Sequence, residues 1–118
     1  MVLKGKIIDG LGNASFWVKK IEEVFLKKEG IKLFHGTLNV KLQEEYNLQT
    51  DWILKPEEYG GTQKVYVQKC KVLGNKSYIV RAEKTAHKDD IVEIVSDINF
   101  REKYKLKNDD EIKIIIWF

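Results

Sequence analysis

Hydrophobic and polar residues alternate with a period of two along most of this chain, which is the signature of strands with one packed face. The clearest case is Gly36–Leu42. Leu38, Val40 and Leu42 fall on one face there, and Thr37, Asn39 and Lys41 on the other. Leu3–Asp9 reads as an earlier strand, with Leu3, Gly5 and Ile7 set against Lys4, Lys6 and Ile8. Asp51–Leu54 reads as a short strand. Val65–Leu73 and Ser77–Arg81 pair as a hairpin across Gly74-Asn75. Ile91–Val95 carries Ile91, Glu93 and Val95 on one face, and Glu111–Phe118 closes the chain with Ile112, Ile114 and Ile116 inward.

One segment changes period. From Phe16 to Glu29 the apolar positions Trp17, Ile21, Val24 and Phe25 recur at helical spacing, and lysines and glutamates cover the opposite side. Ser15 stands where an N-cap belongs, and Gly30 where a helix stops. A second, short helix is predicted over Asn99–Lys105, capped by Asp97 or Asn99. Pro56–Thr62 and Glu83–Asp90 read as loops, and Asn108-Asp109-Asp110 as a turn. Many short strands with one substantial helix predict a closed or nearly closed β-barrel with small helical additions.

At 118 residues the chain has the length of one domain, 1–118, and 43% hydrophobic residues suffice for its core. No apolar run is long enough to span a bilayer, and the first residues lack a signal peptide's apolar segment, so the expected compartment is the cytoplasm. Cys70 is the one cysteine, which excludes a disulfide framework or a cysteine metal cluster; it reads as a small core residue. The formal net charge of +3, from 21 Lys and Arg against 18 Asp and Glu, suits a nucleotide's phosphates. It is too small and too interspersed to argue for nucleic acid as a partner.

Two stretches carry candidate chemistry. Thr37 and Asn39 present a hydroxyl and an amide carbonyl two residues apart on one strand face, a donor set for a hard cation such as Mg2+ that takes its other ligands from phosphates and water. The plain alternative is an edge strand with a polar outer face. Gly10-Leu11-Gly12 lies between a strand and a helix, the arrangement in which a helix start receives a phosphate. It is neither a Walker loop nor a three-glycine dinucleotide fingerprint, and alone it is equally a tight turn. Glu93, an acid on an apolar strand, is a candidate proton acceptor or a lysine's partner. His35 and His87 have no metal or nucleophile pattern. Trp17, Trp52 and Trp117 read as core or rim aromatics, and Tyr59 or Tyr66 is of the type that stacks on a planar ring.

Taken in order, Gly10-Leu11-Gly12, Gly36–Leu42, Lys84-Thr85-Ala86-His87, Glu93-Ile94-Val95, Asn99–Tyr104 and Leu106–Ile114 resemble the archaeal-type CTP-dependent riboflavin kinase family, over essentially the whole chain. The resemblance implies a mostly β fold, a closed six-stranded cradle-loop-type barrel with one main helix and a short second helix. It implies transfer of the γ-phosphoryl of CTP to the 5′-hydroxyl of riboflavin, giving FMN and CDP, by a monomer. Carried over by position, Gly10, Leu11, Gly12, Asn13, Ala14 and Ser15 form the nucleotide-phosphate loop, and Ile98, Asn99, Phe100 and Arg101 line the cytosine nucleotide. Thr37 and Asn39 hold Mg2+. Thr85 and Glu93 contact the flavin's ribityl chain or phosphate end, which puts Glu93, read above as a candidate proton acceptor, in place to be the catalytic base. Where the family's loop has a third glycine this chain has Ala14, and where it has proline this chain has Ala82 and Asp97. Two other readings compete: a flavin- or nucleotide-binding module without turnover, and a DNA-binding cradle-loop barrel, which the small charge disfavours.

Overall fold

The structure is a computed structural model that describes residues 1–85 and 88–116. Expectations that fall on Ala86, His87, Trp117 and Phe118 lie outside the described residues. Strands β1 (Val2–Ile8), β2 (Leu38–Leu42), β3 (Trp52–Leu54), β4 (Val65–Val72), β5 (Asn75–Ala82), β6 (Ile91–Val95) and β7 (Glu111–Ile116) are joined with helices α1 (Ala14–Glu29), α2 (Pro56–Tyr59) and α3 (Phe100–Tyr104).

Six strands close a ring in the order β4-β5-β6-β2-β1-β7 and back to β4, with every pair antiparallel. Closure leaves these six without a free edge along the paired stretches. It works because β4 is long enough to share one side. Val65, Tyr66 and Val67 pair with β3, and Cys70, Lys71 and Val72 pair with β7. The seventh strand, β3, is therefore an appendage of a six-stranded barrel.

The two faces of the wall form separate cores. Leu38, Val40, Leu42, Ile79, Val92, Ile94, Ile112, Ile114 and Ile116 fill the barrel. The outer face of β4, β5 and β6, with Val65, Val67, Tyr78, Val80 and Val95, receives Val18, Ile21 and Phe25 of α1. Val18 is a further buried position on that helix face, and Trp17 and Val24 are partly buried beside it. Cys70 belongs to the interior, and burial pushes its thiol up to about 12, so it is a packing residue rather than a reactive one.

Glu29, in the last turn of α1, sits where the helix dipole disfavours an acid. Its reason is tertiary. Its carboxylate accepts from Trp52 Nε1 at 2.9 Å and from the Tyr78 hydroxyl at 3.1 Å, with Lys69 and Lys76 at 3.8 and 3.9 Å. Gly30 ends the helix in the left-handed conformation, as its position predicts.

Three local expectations are corrected. Ser15 is not the N-cap: α1 begins at Ala14, the cap position is Asn13, and no side chain caps it. Alanine, the best helix former, and serine take the first two helical positions. Pro56–Tyr59, read as loop, forms one helical turn with proline in its first position. The β4–β5 turn is Leu73-Gly74, both with positive φ, the type that matches strand twist. Asn75 instead opens β5, and its amide donates to the Val72 and Leu73 carbonyls at 3.1 and 2.9 Å.

Candidate active site

The polar face of β2 meets the glycine turn that follows β1. Gly36 and Thr37 lead into β2, and Asn39, its second residue, is only 5% exposed. The Asn39 Nδ2 donates to Thr37 Oγ1 at 3.1 Å, which fixes the amide's orientation and joins the two side chains. Asn39 Oδ1 is buried and accepts no hydrogen bond. A buried carbonyl oxygen left in this way is costly, by about 1–3 kcal/mol; Asp90 Oδ1 is the other buried side-chain atom in that state among the described residues. A hard cation suits such an acceptor, a neutral oxygen, and Thr37 Oγ1 is bound to the same amide through Nδ2. Among the described residues no group of three or more His, Cys, Asp or Glu is arranged to hold a metal, so a cation here relies on neutral oxygens, phosphates and water.

Gly10 presses on the same amide. A Cβ added at Gly10 would lie 2.6 Å from Asn39 Nδ2, so any larger residue displaces Asn39 or the turn. Gly12, two residues on, has φ +86 and open space around it. Beyond the turn the first N–H groups of α1 have no side-chain cap, which leaves them available to an anion. The conjunction of glycine turn and Thr-x-Asn was legible in the sequence, but the contact of Gly10 with Asn39 was not.

Glu93 lies directly across from Asn39 in the β2–β6 register and beside Val80 of β5. Both face outward from the barrel, since Val92 and Ile94 point in. The strand pairing therefore brings the candidate base next to the candidate cation ligand.

Ile98, Asn99, Phe100 and Arg101 line a small cavity of about 40 Å³ whose wall includes Thr37, Ser96 and Phe34. The expected nucleotide segment thus adjoins the cation residues. Asn99 is the N-cap of α3, and its Oδ1 accepts from Glu102 N at 3.2 Å. Arg101 reaches back to the glycine turn: its Nη2 donates to the Ile8 carbonyl at 3.0 Å and to Asn108 Oδ1 at 2.7 Å, and it lies 3.6 Å from Asp9 Oδ1. A cation is so held beside the proposed phosphate loop. Phe34 and Asn108 were not singled out by sequence reasoning. Phe34's adjacency to Gly36-Thr37 was the available signal.

Two groups of expected residues are less closely bound in. Leu11 is 64% exposed on the turn. Thr85 lies half-buried in the β5–β6 connection and does not line the Thr37 cavity. The connection is fastened just before it, where Glu83 N donates to the Lys64 carbonyl and Lys84 N to Gln63 Oε1 at 2.9 and 2.7 Å. A concavity of about 820 Å³ lies elsewhere, against Lys4, Lys6, Lys41 and Lys113, and none of the expected site residues lines it. The smaller cavity shares Thr37 with the Thr37–Asn39 pair, and Asn39 in turn touches the glycine turn at Gly10 and lies across from Glu93.

The barrel sets a glycine turn and an uncapped helix start beside Thr37 and Asn39, and the relatives that follow make the class a kinase, a phosphotransferase. The family model CTP-dep_RFKase, described as domain of unknown function DUF120, matches residues 7–116, and the chain belongs to that family. It is similar to a riboflavin kinase of Staphylothermus marinus, 34% identical over 98% of this chain and 91% of that protein. A riboflavin kinase of Thermococcus kodakarensis is 32% identical over 96% of this chain, which spans only 57% of that relative. A riboflavin kinase of Methanococcus maripaludis is 29% identical over 98% of this chain and all of the relative.

Proposed function

We propose that this chain, as a single-domain monomer in the cytoplasm, transfers the γ-phosphoryl of CTP to the 5′-hydroxyl of riboflavin, giving FMN and CDP. The observation that carries the reading is the buried Asn39 Oδ1, without a hydrogen-bond partner among the described residues, on an amide whose Nδ2 is held by Thr37 and pressed by the glycine turn at Gly10. In this assignment Thr37 and Asn39 hold Mg2+, which neutralises and orients the donor's phosphates when bound. Gly10 to Ser15 and the start of α1 receive phosphate oxygens on main-chain N–H groups. Ile98 to Arg101 line the nucleotide, and Thr85 and Glu93 meet the ribityl end of the flavin.

Phosphoryl transfer asks for positioning and charge stabilisation more than for covalent chemistry. The riboflavin 5′-oxygen attacks the γ-phosphorus, the bond to the β-phosphate bridge oxygen breaks, and CDP leaves. The hydroxyl proton passes to the Glu93 carboxylate, which the β2–β6 register places beside Asn39. Arg101, tied to Ile8 and Asp9, steadies the end of β1 from which the glycine turn departs.

The test is incubation of the pure protein with riboflavin, Mg2+ and each of CTP, ATP, GTP and UTP, with FMN read by chromatography. FMN is expected with CTP and at most weakly with the others. FMN from ATP alone would keep the kinase and reassign the donor, and no FMN with any donor would reject the reaction.

Gly10 gives a second test. Gly10→Val is expected to lower turnover about 10- to 100-fold, the range seen when residues orienting metal ligands are disturbed, because its side chain must displace the Asn39 amide. The barrel interior does not include Gly10, so the melting temperature should fall far less than the activity. Steady-state kinetics and a thermal melt on the same preparation check both halves.

A further inference from the structure

We propose that Phe34 is the stacking residue for the nucleobase of the phosphoryl donor, a specificity-determining role that rests on the donor site assigned above. Phe34 lies on the segment between α1 and β2, and its main chain is fixed at both ends. Its N–H donates to the Ser96 carbonyl at 2.8 Å, and its carbonyl accepts from Gly36 N at 3.0 Å. Its ring rests on bare backbone: a Cβ added at Gly36 would lie 2.8 Å from the ring's Cε2. One edge of the ring is so backed by Gly36, while the residue remains 39% exposed at the wall of the cavity formed with Thr37 and Ile98 to Arg101.

The ring belongs to neither hydrophobic core. The other aromatic of that cavity, Phe100, is buried in the barrel core and stacks on Tyr104. Phe16, the most exposed aromatic near the glycine turn, lies under Lys20 Nζ at 4.7 Å. Tyr59 donates its hydroxyl to the Gln63 carbonyl at 2.5 Å, which turns it away to the α2 loop. Phe34 is therefore the rigidly backed aromatic surface that adjoins the donor residues. A cavity of about 40 Å³ admits water but not a base. The base then seats on the ring at the cavity's mouth, with the phosphates directed past Thr37 toward the glycine turn. Stacking on an aromatic is a general means of holding a base whose edge is read by neighbouring polar groups.

CDP binding by titration calorimetry tests this without turnover, on wild type, Phe34→Ala, Phe34→Leu and Phe34→Trp, with thermal melts alongside. CDP affinity is expected to fall about tenfold in the alanine and leucine variants, the loss of one base–aromatic stack, and to return with tryptophan. In kinetics the KM for the donor rises while that for riboflavin stays unchanged. A leucine variant that binds CDP as wild type does would show that apolar filling suffices and would overturn the proposal. So would unchanged CDP affinity in a folded alanine variant. Wild type that binds no nucleotide and forms no FMN would instead remove the donor site itself, and the two failures are distinct.

Discussion

Asn39→Ala is expected to cut turnover about 100- to 1,000-fold, the cost of losing one preorganised polar group at a reacting centre, while the barrel stays folded. The two halves follow from the same atom. In the chain alone Asn39 Oδ1 is a buried acceptor without a donor, so removing it relieves a desolvation cost. Part of the amide's packing against Gly10 is lost at the same time, which opposes that gain. The apolar positions that anchor β2, Leu38, Val40 and Leu42, are untouched. Stability should then change little while activity collapses, the reverse of what a structural asparagine would do. A Mg2+ titration sharpens the result. Added Mg2+ should raise the melting temperature of the wild type in the presence of CDP, because a ligand bound only by the folded state stabilises it. The same addition should leave Asn39→Ala where it was. A variant that retains full turnover would sink the metal assignment, and one that simply unfolds would make Asn39 a packing residue.

Much of this site was written in local pattern. The alternation Leu38, Val40, Leu42 against Thr37, Asn39, Lys41 placed the two oxygens on one face, because side chains on a strand can only alternate. Helical spacing placed α1 after the glycine turn, and Gly30 ended it. The six-stranded barrel with a main and a short second helix stands as expected, with α2 as an additional single turn. What was not legible depends on long-range register. Nothing local tells that β4 divides one edge between β3 and β7. Nothing local puts Glu93 opposite Asn39, since the β2–β6 pairing joins segments separated by the whole β3–β5 stretch. Ser15 illustrates the opposite error. A good cap residue stands inside the helix, which begins two residues earlier than expected, at Ala14, behind an Asn13 that caps nothing with its side chain. Phe34 escaped notice because its environment is made by Gly36, Ser96 and α3 rather than by its neighbours in a periodic run.

The second large effect concerns Glu93. Glu93→Gln is expected to reduce kcat about 100-fold, the lower range for removal of a positioned general base, with the KM values for donor and riboflavin unchanged. The substitution keeps side-chain length and a hydrogen-bonding oxygen, so the position beside Asn39 and Val80 is preserved and only proton acceptance is lost. An acid that merely balanced local charge would respond differently: its loss would appear in the melting temperature or in KM and leave kcat alone. Glu93→Asp separates the roles further. It retains a carboxylate but draws it back by one methylene, so kcat should fall between those of glutamate and glutamine if the group must reach the 5′-hydroxyl. Equal rates for the aspartate and glutamine variants would mean that a carboxylate drawn back by one methylene no longer reaches the proton. Wild-type kcat in Glu93→Gln would leave the proton to pass directly to the departing phosphate or to water, and would confine Glu93 to binding the ribityl chain.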